Sequence, residues 1–480
     1  MKNTVVSPEF KIRVYRYGYK AFEEFPSDWV SNISSTRSLK GNSIVITIPE
    51  RYQEARKVFQ DHAVVQLLIR LKEEDGFLQE NLGYVHQVSY SDMAAGQKST
   101  TVQIMGFDVK LQMMNFFLDL QDEQTQGIRT LSEYKSSFEG SFSQYSKVLK
   151  ESKQIKTLIE SIYKNLIRDL VNPSKRFLFG GKTLFADIGE EPDFNQSFIY
   201  PAISSYSYTG NILLVFNFMS QFGIGNSINF WQLVYSLVTE PLYELYFDPL
   251  QEPVKDGTPS FTDIGDSTIT SPENGCLFVF RPTPLESCFD LEGKWLSYDS
   301  FEKIPEHIIK RKSFTSDTGR VVSGIHVGMS LFEQSANTLV FRPKWNNIIK
   351  SRYGYNLLQV RLEGVSLKDK ELPEIKGSWQ EKVFNIRNRL YDIFCNEEEL
   401  KHCQLNIDTP FNFYRVGKGY GIEHEDNYFG NTGYLETVTN TFNPRGMAQS
   451  SLSFKWIGSK LYSPNPVETT DLNINDSIGV

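Results

Sequence analysis

A chain of 480 residues has the length of about three domains, and 40% hydrophobic against 22% charged residues excludes wholesale disorder. With 50 Lys+Arg against 58 Asp+Glu the net charge is −8, which argues against a protein that grips nucleic-acid phosphates. The unusual figure is the aromatic share of 14%, from 35 Phe, 24 Tyr and 6 Trp, enough rings for large cores and for contact patches between chains. Cys276, Cys288, Cys395 and Cys403 form no C-x-x-C pair, so free, buried thiols in a reducing compartment are expected in place of a disulfide framework. The longest apolar run, Ile212-Leu213-Leu214-Val215-Phe216, falls far short of the ~20 residues that span a bilayer. Met1-Lys2-Asn3-Thr4 leads into polar residues with no apolar signal segment. The expectation is a soluble protein made in a cytoplasm, without membrane insertion.

In chain order, the first stretch reads as β. Residues 10–17 alternate apolar and polar side chains, the period of a half-buried strand. A second strand is predicted over 29–37, a turn at Lys40-Gly41-Asn42, and a β-branched strand at Ile44-Val45-Ile46-Thr47-Ile48. Further strands are predicted over 63–71, 82–90 and 100–105, although the length of 58–71 also suits a helix. Six short strands with polar turns predict a small antiparallel barrel or sandwich over residues 1–110.

From 111 to 240 the pattern turns helical. Ile155, Leu158, Ile159, Ile162, Tyr163, Leu166, Ile167 and Leu170 share one helix face, and Asn172-Pro173 ends that helix. Residues 226–237 carry near-helical apolar spacing before Pro241. The chain then returns to β, with strands predicted over 242–247, 276–280, 321–329, 339–342, 357–364, 404–407, 434–442 and 450–456, and a helix over 379–395. The last residues, 461–480, are a polar, acidic tail without periodicity. No internal repeat shows at a fixed period.

Few residues suggest chemistry. His402-Cys403 with Cys395 offers three soft ligands but no fourth for tetrahedral zinc. His424 among Glu423, Glu425 and Asp426 reads as a solvated acidic loop before a cation site. Gly223-Ile224-Gly225-Asn226 precedes a helical pattern but lacks the third glycine and the lysine of a phosphate loop. There is no G-x-S-x-G or H-E-x-x-H, and among 58 carboxylates any chosen pair carries almost no information. The expectation is a protein that is not an enzyme, with no catalytic, cofactor-binding or metal-binding residues.

Several passages together resemble one family. The run Ile33-Ser34-Ser35-Thr36-Arg37-Ser38-Leu39-Lys40-Gly41 precedes a β-branched strand, Gly83-Tyr84-Val85 lies in a later strand, and Val102-Gln103-Ile104-Met105-Gly106-Phe107-Asp108 closes the set. Pro241-Leu242-Tyr243-Glu244-Leu245 is followed by Arg281-Pro282-Thr283-Pro284, then Arg352-Tyr353-Gly354. Tyr414-Arg415-Val416-Gly417, the 433–442 strand and Ser450-Ser451-Leu452 complete the series. In order and spacing these resemble the baseplate hub proteins of contractile bacteriophage tails (the late control gene D-like, two-barrel group shared with contractile injection systems). Lys418 stands where that family usually has Asp, and Asn440 where His is common, so neither position is assigned a role.

The resemblance implies a mainly β fold with α (α+β), two tail-tube-like antiparallel β-barrels, a helical insert and an inserted α+β domain. The first barrel would be 1–110, the helical insert 111–240, the second barrel 241–284 with 404–460, and the inserted domain 285–403. It implies a homotrimeric, pseudo-sixfold ring joining the sixfold tail tube above to a threefold central spike protein below. Baseplate wedge subunits and the tape measure protein would be further partners, and DNA would pass through the lumen without specific binding. The implied location is the virion's tail baseplate, assembled in the host cytoplasm. The hub of a bacterial injection system or phage-like bacteriocin is the alternative, and a carbohydrate-binding or glycan-hydrolysing tail β-protein a second. A fused spike would extend the chain beyond Val480, so a separate spike protein is expected.

Overall fold

A computed structural model describes most of residues 8–117, 242–288, 301–329, 342–362, 376–395 and 402–458, and only short stretches of 118–241. The acidic tail, the predicted strand residues 339–341 and most of the predicted 155–170 helix lie outside the described residues. Ile159 and Glu160 of that segment are helical, and Ile159 and Tyr163 are buried.

The N-terminal strands are β1 (Glu9–Tyr15), β2 (Glu23–Phe25), β3 (Asn32–Ser38), β4 (Ser43–Pro49), β5 (Val64–Arg70), β6 (Leu78–Asp92) and β7 (Lys98–Met105). Helix α1 (Tyr52–Val58) follows β4, and α2 (Phe107–Met113) follows β7. The ambiguous 58–71 stretch resolves as the end of α1 and all of β5. Its core-facing Val65, Leu67 and Ile69 recur at every second residue.

Three strands, β8 (Ile199–Ile203), β9 (Tyr243–Asp248) and β10 (Cys276–Pro282), form a separate sheet in the order β8-β10-β9. Next come β11 (Glu302–Ile304), β12 (Arg311–Ser316), β13 (Gly324–Met329), β14 (Lys344–Trp345), α3 (Asn347–Tyr353), β15 (Leu357–Leu362) and α4 (Lys376–Phe394). Strands β14-β13-β15 make a small mixed sheet covered by α4. The chain ends in β16 (Cys403–Pro410), β17 (Gly419–Ile422), β18 (Thr432–Phe442) and β19 (Gln449–Gly458).

One 13-stranded sheet unites the two ends of the chain in the order β12-β16-β19-β18-β3-β4-β7-β6-β5-β1-β2, with β17 on β18 and β11 on β17. The joint is the antiparallel pair β18–β3, in which Thr439 faces Thr36 and Asn440 faces Ser35.

The two halves of this sheet repeat each other. Strands β2, β3, β4, β5, β6 and β7 correspond in order to β11, β12, β16, β17, β18 and β19. Proline and a 3-10 turn join β2 to β3 (Pro26, Ser27–Trp29) and β11 to β12 (Pro305, Glu306–Ile308). The amide of Ser31 bonds to Thr47 O at 2.9 Å, and Lys310 to Asp408 O at 2.8 Å. Val85 N bonds to Ala63 O at 2.8 Å, and Leu435 N to Lys418 O at 2.9 Å. Even the bulge recurs, between Val85 and Gln87 on β6 and between Leu435 and Thr437 on β18. Gly83-Tyr84-Val85-x-x-Val88 matches Gly433-Tyr434-Leu435-x-x-Val438. The second copy is interrupted between β12 and β16 by residues 317–402, so the repeat has no fixed period.

Strand membership differs from the expected boundaries. Strands β11 and β12, within the 285–403 segment, belong to the large sheet. Among the described residues, strands β9 and β10 share no backbone ladder with β16–β19 but pack face to face on them, Tyr246, Leu277 and Val279 meeting Leu405, Leu435 and Phe454 in a shared core. The reason is that the β8-β10-β9 sheet is buried on both faces: Tyr243, Leu245 and Phe247 point into a second core with Trp231, Phe278 and Phe280. A third core lies under the N-terminal strands and includes Phe411 and Phe442 from the C-terminal half.

Candidate functional site: the buried seam between the halves

At the β3–β18 joint, sheet pairing brings polar residues inward where apolar ones would be expected. Glu80 Oε1 accepts from Arg37 Nε at 2.9 Å and from Asn440 Nδ2 at 2.7 Å, and its Oε2 accepts from Ser35 Oγ at 2.5 Å. Arg37 also donates to Tyr414 O at 2.7 Å, and Ser450 Oγ donates to Asn440 Oδ1 at 2.6 Å. Asn81 Nδ2 reaches Ser35 Oγ at 2.9 Å and the carbonyls of Thr36 and Ser43 at 3.2 Å. Both charged side chains are 0% exposed. Burying a charge is tolerated only with such pairing, so the network is a geometric lock that admits one register of β18 on β3.

A second lock ties the three-stranded sheet to the large one. Period-2 alternation puts Glu244, Tyr246 and Asp248 on one face of β9, and the β9–β10 register sets Arg281 opposite Glu244. Glu244 accepts from Arg281 Nε at 2.6 Å and from Tyr434 Oη at 2.9 and 2.7 Å. Asp248 accepts from Arg415 Nε at 2.8 Å, and Arg281 also bonds to Gly417 O. A Cβ on Gly417, whose φ is +75°, would lie 2.6 Å from Arg281 Nη2, which is why the loop carries glycine there. Burial and the Glu244 carboxylate push the Tyr434 hydroxyl well up, so it stays a donor.

Asp108, at the start of α2, fills a slot between Gly41 and Gly106, where added Cβ atoms would lie 2.6 and 2.4 Å from its oxygens. Burial pushes its carboxyl up to about 6; the nearby amides of Asp108, Val109 and Asn42 oppose the shift. No hydrogen bond to either oxygen is formed among the described residues. Burial, then the Asp108 charge, push nearby Tyr84 up to about 12.

The candidate zinc ligands do not make a site. Cys395 and Cys403 are buried, burial pushes the Cys403 thiol up and the His402 imidazole down, and no three His, Cys, Asp or Glu residues gather as ligands among the described residues. Gly223–Asn226 and His424, Glu425 and Asp426 lie outside the described residues. Lys418 bonds to Glu302 on the surface at 2.8 Å, whereas Asn440 belongs to the buried seam. Arg37, Glu244, Arg281 and Arg415, all within the resembled passages, are joint residues. Glu80 and Asp248 were missed: Glu80 lies between the polar Gln79 and Asn81, and Asp248 is the last residue of its strand, so neither stands out as a carboxylate within an apolar run.

No family model and no curated protein sequence matches the chain. Solved structures similar to it include tail proteins and a secretion component. A tail protein from Neisseria meningitidis MC58 aligns over 93% of this chain and 96% of its own at 7% identity and a TM-score of 0.46. The 43 kDa tail protein of prophage MuSo2 from Shewanella oneidensis aligns over 93% and 98% at 8% identity and a TM-score of 0.41. A type VI secretion component of E. coli, described as structurally similar to bacteriophage T4 tail proteins, aligns over 95% and 78% at 8% identity and a TM-score of 0.41. No residue role follows from these alignments.

Proposed function

We propose that the protein is a structural component of a contractile-tail baseplate: a hub, three copies of which ring the axis between a sixfold tail tube and a threefold spike. The observation that carries the reading is the duplication. One chain holds two strand sets that match in order, register and bulge over β3–β7 and over β12 with β16–β19, joined edge to edge and locked by Glu80, so three chains present six alike sets. Residues without a counterpart in the other half, including β13–β15 with α4, make the two sets unequal and suit threefold contacts.

Each strand set is read as a tube-like barrel. In the first, the Asn81 amide ties the start of β6 back to β3 and β4 across the interior, which favours a curled sheet. Spike and tube proteins, wedge subunits and the tape measure protein are the partners this role requires. The net charge of −8 suits a conduit through which DNA slides without being held. The test is the mass of the purified protein by light scattering over a concentration range. A species near three times 55.2 kDa is expected, and a monomer at every concentration overturns the ring.

A further inference from the structure

Among the described residues, the duplication leaves two strand edges without the strand that their counterparts pair with. On β18, one edge carries β17 over 432–434 and then β3 over 437–442. On β6, the same edge carries β5 over 78–84, and on that edge residues 87–92, which pair with β7 on their other side, have no strand beside them among the described residues. Likewise β3 lies between β4 and β18, whereas its counterpart β12 pairs with β16 and lies at the end of the sheet. Burial follows the difference. Asn440 is 0% exposed, while its counterpart Tyr90 is 44% exposed; Ile33 is buried, while its counterpart Lys312 is half-buried.

We propose that the open edge of β6 receives β12 of a second copy of this chain, in the register that β3 takes on β18 within the chain. Transferring the Thr439–Thr36, Asn440–Ser35 and Phe442–Ile33 pairs residue for residue sets Ser89 opposite Thr315, Tyr90 opposite Phe314, and Asp92 opposite Lys312. The transferred pairs are chemically matched. The Thr36–Thr439 hydroxyl contact at 3.1 Å becomes Ser89 with Thr315. The buried Asn–Ser pair becomes two aromatic rings, and Asp92 joins the ion pair that Lys312 makes with Glu306. An exposed strand edge is a template for another chain, and a head-to-tail contact that joins the end strand β12 to the open stretch of β6 in the next copy closes into a ring when the rotation allows. The inference rests on the hub reading for the number of copies, but the register comes from the internal joint alone.

Directly opposed strand residues have Cα atoms about 4.5–5.5 Å apart, within disulfide reach. Ser89→Cys with Thr315→Cys is expected to give cross-links between chains on non-reducing gels, up to three chains. Thr36→Cys with Thr439→Cys reports the same joint inside one chain and serves as the folding control. Ser91→Cys with Thr315→Cys, two residues out of register, is expected to stay uncross-linked. If the control bonds and the unmodified protein is trimeric by mass, but Ser89 and Thr315 do not bond, the register is overturned and the hub reading survives. If the control bonds and the protein is monomeric at every concentration, both fall. Amide hydrogen exchange on the unmodified chain gives an independent reading. Protection of 87–92 and 311–316 is expected wherever the trimer is present by mass; free exchange of these amides in the trimer overturns the pairing.

Discussion

Glu80 satisfies three donors, from Arg37, Ser35 and Asn440, with no water-facing atom between it and Arg37, so removing either charge strands the other in the interior. Glu80→Gln or Arg37→Met should each cost about 3–5 kcal/mol of stability, read as a lowered denaturation midpoint. The double variant should cost clearly less than the sum, because neither charge is then left alone. Asp108 behaves in the opposite sense. Its carboxyl is raised to about 6 from a usual value near 4, so the folded state holds the proton more tightly than the unfolded chain. Stability from this group is therefore full below about pH 4 and is lost as pH rises through about 6, by about 3 kcal/mol in all. Asp108→Asn should stabilise the protein at pH 7 and have almost no effect at pH 4, which denaturant titrations at the two pH values would measure. The arginines and glycines of these joints stood out in the chain as short patterns. Glu80 and Asp248 did not, because a carboxylate's burial is set by strands distant in sequence.

At the scale of elements, alternation located most strands of the large sheet to within a few residues. The exceptions have two causes. Strand β12 reads Arg311-Lys312-Ser313-Phe314-Thr315-Ser316, with no apolar face, because within the chain it is an edge with little to bury. Strands β2, β11 and β17 are three or four residues long, too short for a period to register. The duplication supplies a paired prediction. A Cβ on Gly83 would lie 2.4 Å from the backbone oxygen of Met105, whereas on Gly433 it would lie 3.1 Å from the Phe454 and Ile457 side chains. Gly83→Ala must therefore displace a strand and should cost about 1–3 kcal/mol, while Gly433→Ala, meeting movable side chains, should cost less. Thermal unfolding of the two variants would rank them.

For the whole molecule, the proposed contact between copies is mainly backbone hydrogen bonds and aromatic rings, with Asp92 and Lys312 as its charged contribution. The trimer fraction should therefore change little when salt is raised to about 1 M, where charges are screened beyond ~3 Å. Sedimentation at low and high salt would check this, and dissociation by salt would point to an interface built on charge instead.

The sequence by itself determined the β-rich composition of the two ends, the positions of most strands, and the patterns that mark the joints, because alternation, turn residues and short motifs are local. It did not determine that β18 pairs with β3, that β11 and β12 leave the inserted segment to join the large sheet, or that the two halves repeat. Those were decided by tertiary structure. Strand pairing is a choice among edges far apart in the chain, made by which buried donors and acceptors find each other, and Glu80 meets Asn440 across 360 residues.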